Sequence, residues 1–556
     1  MKNKIQILLL FIVLFFFSAC ESHSNTSGFD DDGDFIPNDI EFALGMDPTN
    51  NDQNGNGVLD GLESSATFGD QFFDKQWHIR SLGTYTNDSN VSTIAGNDLD
   101  VLDIYHTYMG YNHADNIIIQ VVDSGVDADH EDLVDNMDLS RSYNDDKVGD
   151  PSGSDWHGTA VAGIMAARAF NTIGVRGIIP FAKIAGSNWL DEQSDEGIEK
   201  AWLTGDGANE IAITNNSWGD YINTETLFED IMVLGTSTLR DGKGRVYVFS
   251  AGNERHIDGN ANLVYLNNNH YAISVAALKN DNTYTMYSSP GSNVLVSGYS
   301  GEFYRNSPTI STTITEGESS NEGNISTKTT WSEDSKENYT FIMNGTSAAA
   351  PTVAASIALV LEACPDLTWR DVKYLVATTA KMVDANNSTW IQNSAGHKHS
   401  IDYGYGLINP RGMISQCLST SYEHLEVEQN QSVSKTFNIA IPDNNMTITS
   451  FELELSQKPI SVEWVEVTVD NNSSYASDYD ISLISPAGTK TLLINGGNLA
   501  SQFFADVSDW MDNGFRFSTA AMLDESSQGI WHVTLKDTKA GDSGTVKSIK
   551  LQVYGH

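Results

Sequence analysis

The sequence predicts an α/β domain built on a buried parallel sheet, followed by an all-β sandwich. IIIQVVD at 117–123 is a continuous apolar run, the pattern of a strand covered on both faces. Two runs of small and apolar residues, HGTAVAGIMAARAF from His157 and TSAAAPTVAASIALVLEA from Thr346, read as helices. After Cys417 the period changes to two. Val465, Val467 and Val469 alternate with Glu466 and Thr468; Trp531, Val533 and Leu535 with His532 and Thr534; Ile549, Leu551 and Val553 with Lys550 and Gln552. Turn clusters such as SPAG and NGG separate such runs, as in a sandwich whose sheets each keep one wet face.

The chain has 556 residues, room for two or three domains, and its 40% hydrophobic and 10% aromatic residues suffice for real cores. Lys+Arg 31 against Asp+Glu 74 leaves a net charge of −43, which repels nucleic acid and attracts divalent cations or basic peptides. Met1 to Cys20 carries two early lysines, an apolar run and small residues before a cysteine, a secretory signal. Its Phe-Ser-Ala-Cys ending resembles a bacterial lipobox. That implies lipidation of Cys20 and a place in the bacterial cell envelope, anchored to a membrane or exported to the cell surface; the alternative is an ordinary signal peptide or an uncleaved anchor. No other apolar stretch reads as a bilayer span. Cys364 and Cys417 are the cysteines left, so disulfides do not build this fold, and whether these two pair stays open.

Residues 21–66 contain no Lys or Arg, and their acids are in register. Asp30, Asp32, Asp34, Asn38 and Glu41 fall at positions 1, 3, 5, 9 and 12 of a calcium loop; Asp52, Asn54, Asn56, Asp60 and Glu63 fall at the same positions, with Gly57 at position 6. A hard cation needs six to eight oxygens, and alternate side chains of a tight loop supply them without a core. The alternative is a solvated acidic linker. The pair resembles thrombospondin type 3 repeats, which implies a calcium-stiffened spacer. The first loop departs from the pattern at Phe35, where glycine is expected.

Asp123 sits at the carboxyl end of the buried strand, where α/β sheets bind ligands. His157 opens one helix. Ser347 lies at a turn-to-helix junction after Asn344 and Gly345, where its hydroxyl is exposed and the helix dipole favours developing negative charge. These three types divide one task. Serine is a poor nucleophile until an imidazole takes its proton, and a carboxylate holds that imidazole in the right tautomer and stabilises its charged form. Pro351 is placed early in the helix, where a missing N–H costs least.

DSGVDADHEDL, HGTAVAG, NNSWG, SAGNE and NGTSAAAP occur in the order and with roughly the spacing of the subtilisin-like serine peptidases, which the chain resembles. DQFFDKQWH, NSWG and GTSAAAP resemble the kexin/proprotein-convertase branch. The resemblance implies a subtilisin-like parallel-sheet catalytic domain, a triad of Asp123, His157 and Ser347, and Asn253 as side-chain oxyanion donor. It also implies that Ser217, Trp218 and Gly219 pair with an extended peptide or protein substrate. Asp132 and Asn171 resemble a calcium site of the family, to which Asp70 adds a carboxylate. Calcium is the cofactor expected.

Departures bear on specificity. Ser124 follows Asp123, where kexins carry a second aspartate, and Leu263 and Val264 stand where they have a pocket aspartate. Asp258, Asp220, Asp195 and Glu196 remain as acids that could draw basic side chains, so the preferred cleavage site stays open. Residues 302 to about 340 read as a surface insertion. The stretch between Cys20 and QWH is short for the folded propeptide common in subtilisins, which leaves unaided folding with calcium or an external helper. DYDISLISPAGTKTLLI and GIWHVTLKD resemble the P domain of kexin-like peptidases, an all-β, jelly-roll-like module. The expected organisation is a lipoprotein signal at 1–20, calcium repeats at 21–66, the peptidase domain at 70–418 and the P domain at 421–556. The rival is a catalytically silent, calcium-dependent surface binding protein on the same fold.

Overall fold

The computed structural model describes residues 30–64, 69–87, 90–102, 104, 117–153, 155–219, 226–303, 307–315, 338–443, 447–473, 478–496, 510–541 and 543–556. Cys20, Asp220 and residues 316–337 of the expected 302–340 surface insertion lie outside them; its near end is not surface, since Ile310–Thr313 is a fully buried strand whose Thr312 and Thr313 hydroxyls bond to the Ala160 and Thr159 carbonyls.

The apolar run becomes β1 (Ile118–Asp123), all six residues buried, near the middle of an eight-stranded sheet. The other strands are β2 (Tyr143–Asn144), β3 (Lys147–Val148), β4 (Lys183–Asn188), β5 (Ile211–Asn216), β6 (Val246–Ser250), β7 (Ala272–Leu278) and β8 (Val294–Tyr299), in the order β3-β2-β4-β1-β5-β6-β7-β8. All neighbours are parallel except the edge pair β2–β3. Parallel strands end together, so β1, β5 and β6 deliver their carboxyl ends to one rim.

Helices His157–Ala166 and Thr346–Ala363 cover the sheet, buried almost throughout. Their small side chains permit close packing: a Cβ on Gly298 of β8 would stand 2.4 Å from the Ala349 carbonyl oxygen. By length and apolarity alone Thr346–Ala363 is long enough to cross a bilayer, but 83% of it is buried inside the protein, as befits a core helix. Helix Trp369–Thr379 follows, opened by a Thr368/Asp371 capping box. A Cys364–Cys417 disulfide joins the end of the core helix to the end of helix Pro410–Cys417.

Two short antiparallel pairs, β9 (Ile310–Thr313) with β10 (Tyr339–Met343) and β11 (Trp390–Gln392) with β12 (Lys398–Ser400), precede the C-terminal region, which is a sandwich of two antiparallel four-stranded sheets. One has the order β13-β20-β15-β18 and the other β14-β19-β16-β17, with β13 at Gln429–Ile441, β14 at Thr449–Leu455, β15 at Val462–Asn471, β16 at Tyr479–Ile484, β17 at Lys490–Ile494, β18 at Phe515–Thr519, β19 at Gly529–Asp537 and β20 at Gly544–Gly555. The alternating residues named above fill the space between them. The expected wet face fails in part for one sheet. Glu466 is buried and accepts the His270 N–H at 3.1 Å, and Trp464 and Tyr554 join the apolar core of the first domain. Alternation reports that a sheet has two faces; here the outer one is covered in part, at Trp464, Glu466 and Tyr554, by the neighbouring domain, while Lys550 and most of β13 stay exposed.

The acidic N-terminal segment is likewise no free spacer. Ile36, Ile40 and Met46 are buried in the core that contains Trp77. Arg176, fully buried, donates from Nε to Asp70 Oδ2 (2.6 Å) and from Nη1 to the Gly61 carbonyl (3.0 Å), between the rings of Phe73 (3.7 Å) and Phe170 (4.6 Å).

Candidate active site

Asp123 ends β1 and is fully buried; the Ser124 N–H donates to its Oδ1 at 2.8 Å. His157, the first residue of its helix, sets Nδ1 2.7 Å from the same oxygen. The approach requires Gly158, because a Cβ there would stand 2.0 Å from the Gly125 carbonyl oxygen. Burial opposes charge on the His157 ring, but the Asp123 carboxylate and its hydrogen bond outweigh it and hold the imidazole pKa above its ordinary value. A carboxylate so placed fixes the ring with Nδ1–H toward it and Nε2 outward as a base.

Ser347 lies in the first turn of helix Thr346–Ala363, which starts after Gly345 at φ 85°, a conformation suited to glycine. Its Oγ donates to the Ser217 carbonyl at 3.1 Å, and Ser217 Oγ donates in return to the Ser347 carbonyl at 2.9 Å. The second bond has a local cause. Pro351 sits four residues on, inside the helix rather than at its first position, so its missing N–H leaves the Ser347 carbonyl without the usual helical donor, and Ser217 supplies one. Among the described residues no hydrogen bond joins Ser347 to His157; the hydroxyl is engaged by Ser217.

Asn253 follows β6. Its Oδ1 accepts both the Thr346 N–H (2.8 Å) and the Thr346 hydroxyl (2.9 Å), which fixes the amide plane. The amide nitrogen and oxygen lie 3.5 and 3.6 Å from where a Cβ on Gly345 would stand, and the Ser347 backbone nitrogen 3.5 Å from the same point, so the amide sits beside the serine's turn. Helix N–H groups and a side-chain amide at one point can stabilise an oxyanion. Thr346, which orients that amide, and the Ser217 hydroxyl were not singled out from sequence. The signals were the residue before the serine and a proline four after it.

Ser217, Trp218 and Gly219 run on from β5. Trp218 Nε1 donates to the Val122 carbonyl (2.8 Å), and its ring packs at 4.7 Å from that of Trp189. Val264 is buried, and its Cγ1 lies 2.7 Å from where a Cβ on Gly219 would be. Asp195, Glu196 and Asp258 are exposed.

In the first acidic loop the ligand atoms of Asp30, Asp32 and Asp34 lie within 4.8 Å of one another. Both oxygens of Asp32, both of Glu41 and Oδ2 of Asp34 are buried without a hydrogen-bond partner. Burial, reinforced by the neighbouring acids, pushes Asp32 up to about 6, Asp34 to about 7 and Glu41 to about 8. Orphaned carboxylate oxygens held together in this way fit a hard divalent cation. Asn38, by contrast, has its Oδ1 taken by the Asp31 N–H at 2.9 Å. Phe35 adopts φ 79°, beside φ 87° at Gly57, so the two loops share a turn at position 6 despite the missing glycine. In the second loop Asp52 accepts from the N–H groups of Asn56 (3.0 Å) and Gly57 (2.8 Å). Asn54 and Asn56 both donate to Glu63 Oε1 (2.8 and 2.7 Å), and Asp60 accepts from Gln53 N–H (2.9 Å). The structure also brings Asp132, Asn171 and Asp70 together. There Asn171 Nδ2 donates to Asp132 Oδ1 (2.6 Å), Val175 N–H to Oδ2 (2.9 Å), and Asn171 N–H to Asp70 Oδ1 (3.3 Å). Burial, then the nearby Asp70, raises the Asp132 pKa well above the carboxylate range.

A doubly wound sheet that presents an Asp–His pair beside a helix-borne serine defines a serine-peptidase type of site. The chain belongs to the subtilase family, whose model matches residues 114–406, and the proprotein convertase P-domain model matches residues 462–553. It is therefore a serine-type endopeptidase with a P domain. An extracellular serine protease of Aeromonas sobria is 29% identical over 549 residues, covering 84% of each chain. Kexin of Saccharomyces cerevisiae is 29% identical over 515 residues, 89% of this chain but 57% of kexin, so the chain spans little more than half of that relative. The solved structure of the Aeromonas sobria serine protease in complex with a chaperone matches with a TM-score of 0.76 and 26% identity, covering 89% of this chain and 98% of that one.

Proposed function

We propose that the chain is an exported, calcium-stabilised endopeptidase that cleaves extended peptides or proteins through an acyl-enzyme on Ser347. The supporting observation is the 2.7 Å Asp123–His157 hydrogen bond, at the same rim of the sheet as a serine in the first turn of a helix. A substrate laid along Ser217, Trp218 and Gly219 displaces the Ser347 hydroxyl from the Ser217 carbonyl toward the imidazole. His157 takes its proton as the oxygen attacks, and Asp123 stabilises the imidazolium. Asn253 Nδ2 and the Ser347 N–H receive the oxyanion. His157 then protonates the leaving amine and activates the water that releases the acid. The organisation proposed is that of the sequence reading: signal 1–20 with lipidation at Cys20 anchoring the protein in the bacterial cell envelope, calcium repeats 21–66, peptidase 70–418 and P domain 421–556.

Calcium, when bound, supplies charge neutralisation to clustered carboxylates rather than chemistry. The residues assigned to hold it are Asp30, Asp32, Asp34, Asn38 and Glu41, then Asp52, Asn54, Asn56, Asp60 and Glu63, and separately Asp132 and Asn171 with Asp70. A fluorophosphonate probe tests the catalytic reading. Purified, calcium-loaded protein is expected to be labelled and Ser347→Ala is not; no labelling of folded wild type would favour the silent binding protein. Chelation is expected to lower the melting temperature, and an unchanged melt would remove calcium from the proposal.

A further inference from the structure

Strands β5 and β6 are parallel neighbours, and beyond them the chain runs on as 217–219 and 251–253. A substrate on Ser217–Gly219, with its carbonyl oxygen at the Asn253 amide, places the side chain before the scissile bond in the gap between these two ends. The turn 260–264 closes that gap, with Val264 against Gly219. Asn267 ties the far end of the turn to the rim by donating to the Ser250 carbonyl at 2.6 Å.

The peptidase domain does not hold this wall alone. Leu263, next to Val264, is fully buried in the apolar cluster of the C-terminal sandwich. Asn262 is fully buried as well and bonds across the domain boundary on both sides of its amide. Its Nδ2 donates to the Leu493 carbonyl of β17 (3.0 Å) and to Ser292 Oγ (3.0 Å), while its Oδ1 accepts the Ser518 N–H of β18 (2.8 Å). Ser292 completes the ring by donating to the Ser518 carbonyl at 2.7 Å. Three bonds on a buried amide leave the turn little freedom, since each broken one strands a polar group away from water.

We propose that the C-terminal sandwich builds the back wall of the substrate pocket through Asn262, a positioning residue that holds Val264 against Gly219. It thereby sets which side chain the pocket accepts. The inference rests on the peptidase reading above. The wall is an isopropyl group in a turn of uncharged residues, Asn260 to Val264, so an ammonium or guanidinium packed against it would meet no counter-charge from that turn, and the accepted side chain is expected to be uncharged.

Asn393 supplies the control. It donates to the Ala521 (3.2 Å) and Leu523 (2.8 Å) carbonyls, also across the domain boundary but from the β11 (Trp390–Gln392) hairpin, so its loss loosens the sandwich without reaching the turn. Full-length, calcium-loaded wild type, Asn262→Ala, Val264→Ala and Asn393→Ala are compared on peptides that differ only in Leu or Lys before the scissile bond. Wild type is expected to favour Leu in kcat/KM by about tenfold or more. Asn262→Ala is expected to raise KM for the Leu peptide about tenfold and shrink the Leu/Lys ratio severalfold, with fluorophosphonate labelling retained. Val264→Ala is expected to change the ratio too, and Asn393→Ala to lower the melting temperature with the ratio intact. If Asn262→Ala does not fold, Asn262→Ser is measured in its place. A Lys preference in wild type, or equal effects of Asn262→Ala and Asn393→Ala on the ratio, or none, would overturn the proposal. An unlabelled, inactive wild type would sink the peptidase reading itself and this inference with it; labelling with an unmoved ratio sinks only the wall.

Discussion

Replacing Asn253 with alanine deletes a side-chain amide held beside the serine's turn. Donors of this kind are worth about 10²–10³ in kcat, roughly 3–4 kcal/mol, with KM almost unmoved because the charge they meet exists only in the transition state. Thr346→Val keeps the side-chain shape and removes the hydroxyl that donates to Asn253 Oδ1 at 2.9 Å, so the amide plane is held by the Thr346 N–H alone, at 2.8 Å. One neutral hydrogen bond is worth about 1 kcal/mol, which predicts a kcat about fivefold below wild type. The double variant is decisive. If Thr346 acts through Asn253, there is no amide left to orient, and Asn253→Ala/Thr346→Val is as slow as Asn253→Ala alone. The two effects then fail to add by about 1 kcal/mol. Steady-state rates on a chromogenic peptide, with active sites counted by a burst titrant, supply the four numbers. Full additivity would refute the reasoning and assign Thr346 to the helix start or to Ser347 directly.

As the proposed base, His157 must be neutral, and Asp123 holds its pKa above the ordinary value, so kcat/KM is expected to fall as pH drops through a midpoint above about 6.5. A pH–rate profile checks this, and Asp123→Asn should move the limb to lower pH. Cys417→Ser opens the bridge between residues 53 apart in sequence; in the chain-entropy model it costs up to about 4 kcal/mol in a denaturant melt while leaving kcat unchanged. Arg176→Met strands the buried Asp70 carboxylate and is expected to cost about 3–5 kcal/mol, read from urea unfolding at fixed calcium.

What was legible in the sequence was what local chemistry constrains. The β1 run, the helix of small residues around Ser347 and the inward valines of β15 each state their burial in their own period, and the fold class follows from them. Gly158 and Gly345 flank functional side chains because one has no room for a Cβ and the other has φ 85°. Contacts between distant segments were not legible. That Ser217 takes the carbonyl freed by Pro351, or that Thr346 aligns Asn253, depends on loops 130 and 93 residues apart meeting at one rim. Nothing in the alternation of β15 reveals that the even positions, Trp464 and Glu466, meet another domain rather than water. The pairing of Cys364 with Cys417 needed the two helix ends to be placed.

The acidic segment shows how composition can mislead about architecture. Its acids read as a calcium-stiffened spacer or, failing that, a solvated linker, yet among them stand Ile36, Ile40 and Met46, which pack into the peptidase core, and the Gly61 carbonyl, which satisfies Arg176. Removing the segment would expose that apolar surface and strip a buried guanidinium of one acceptor, so it belongs to the folding unit. Its orphaned carboxylates then act on the whole domain. A cation that binds the folded loops and not the unfolded chain stabilises everything that unfolds with them, by about 4 kcal/mol at a thousand times its dissociation constant. The same acids, left without a cation, repel one another inside the fold. Calcium dependence of the active site would then need no ion near Ser347, only the rigid link that runs from Gly61 through Arg176 to Asp70.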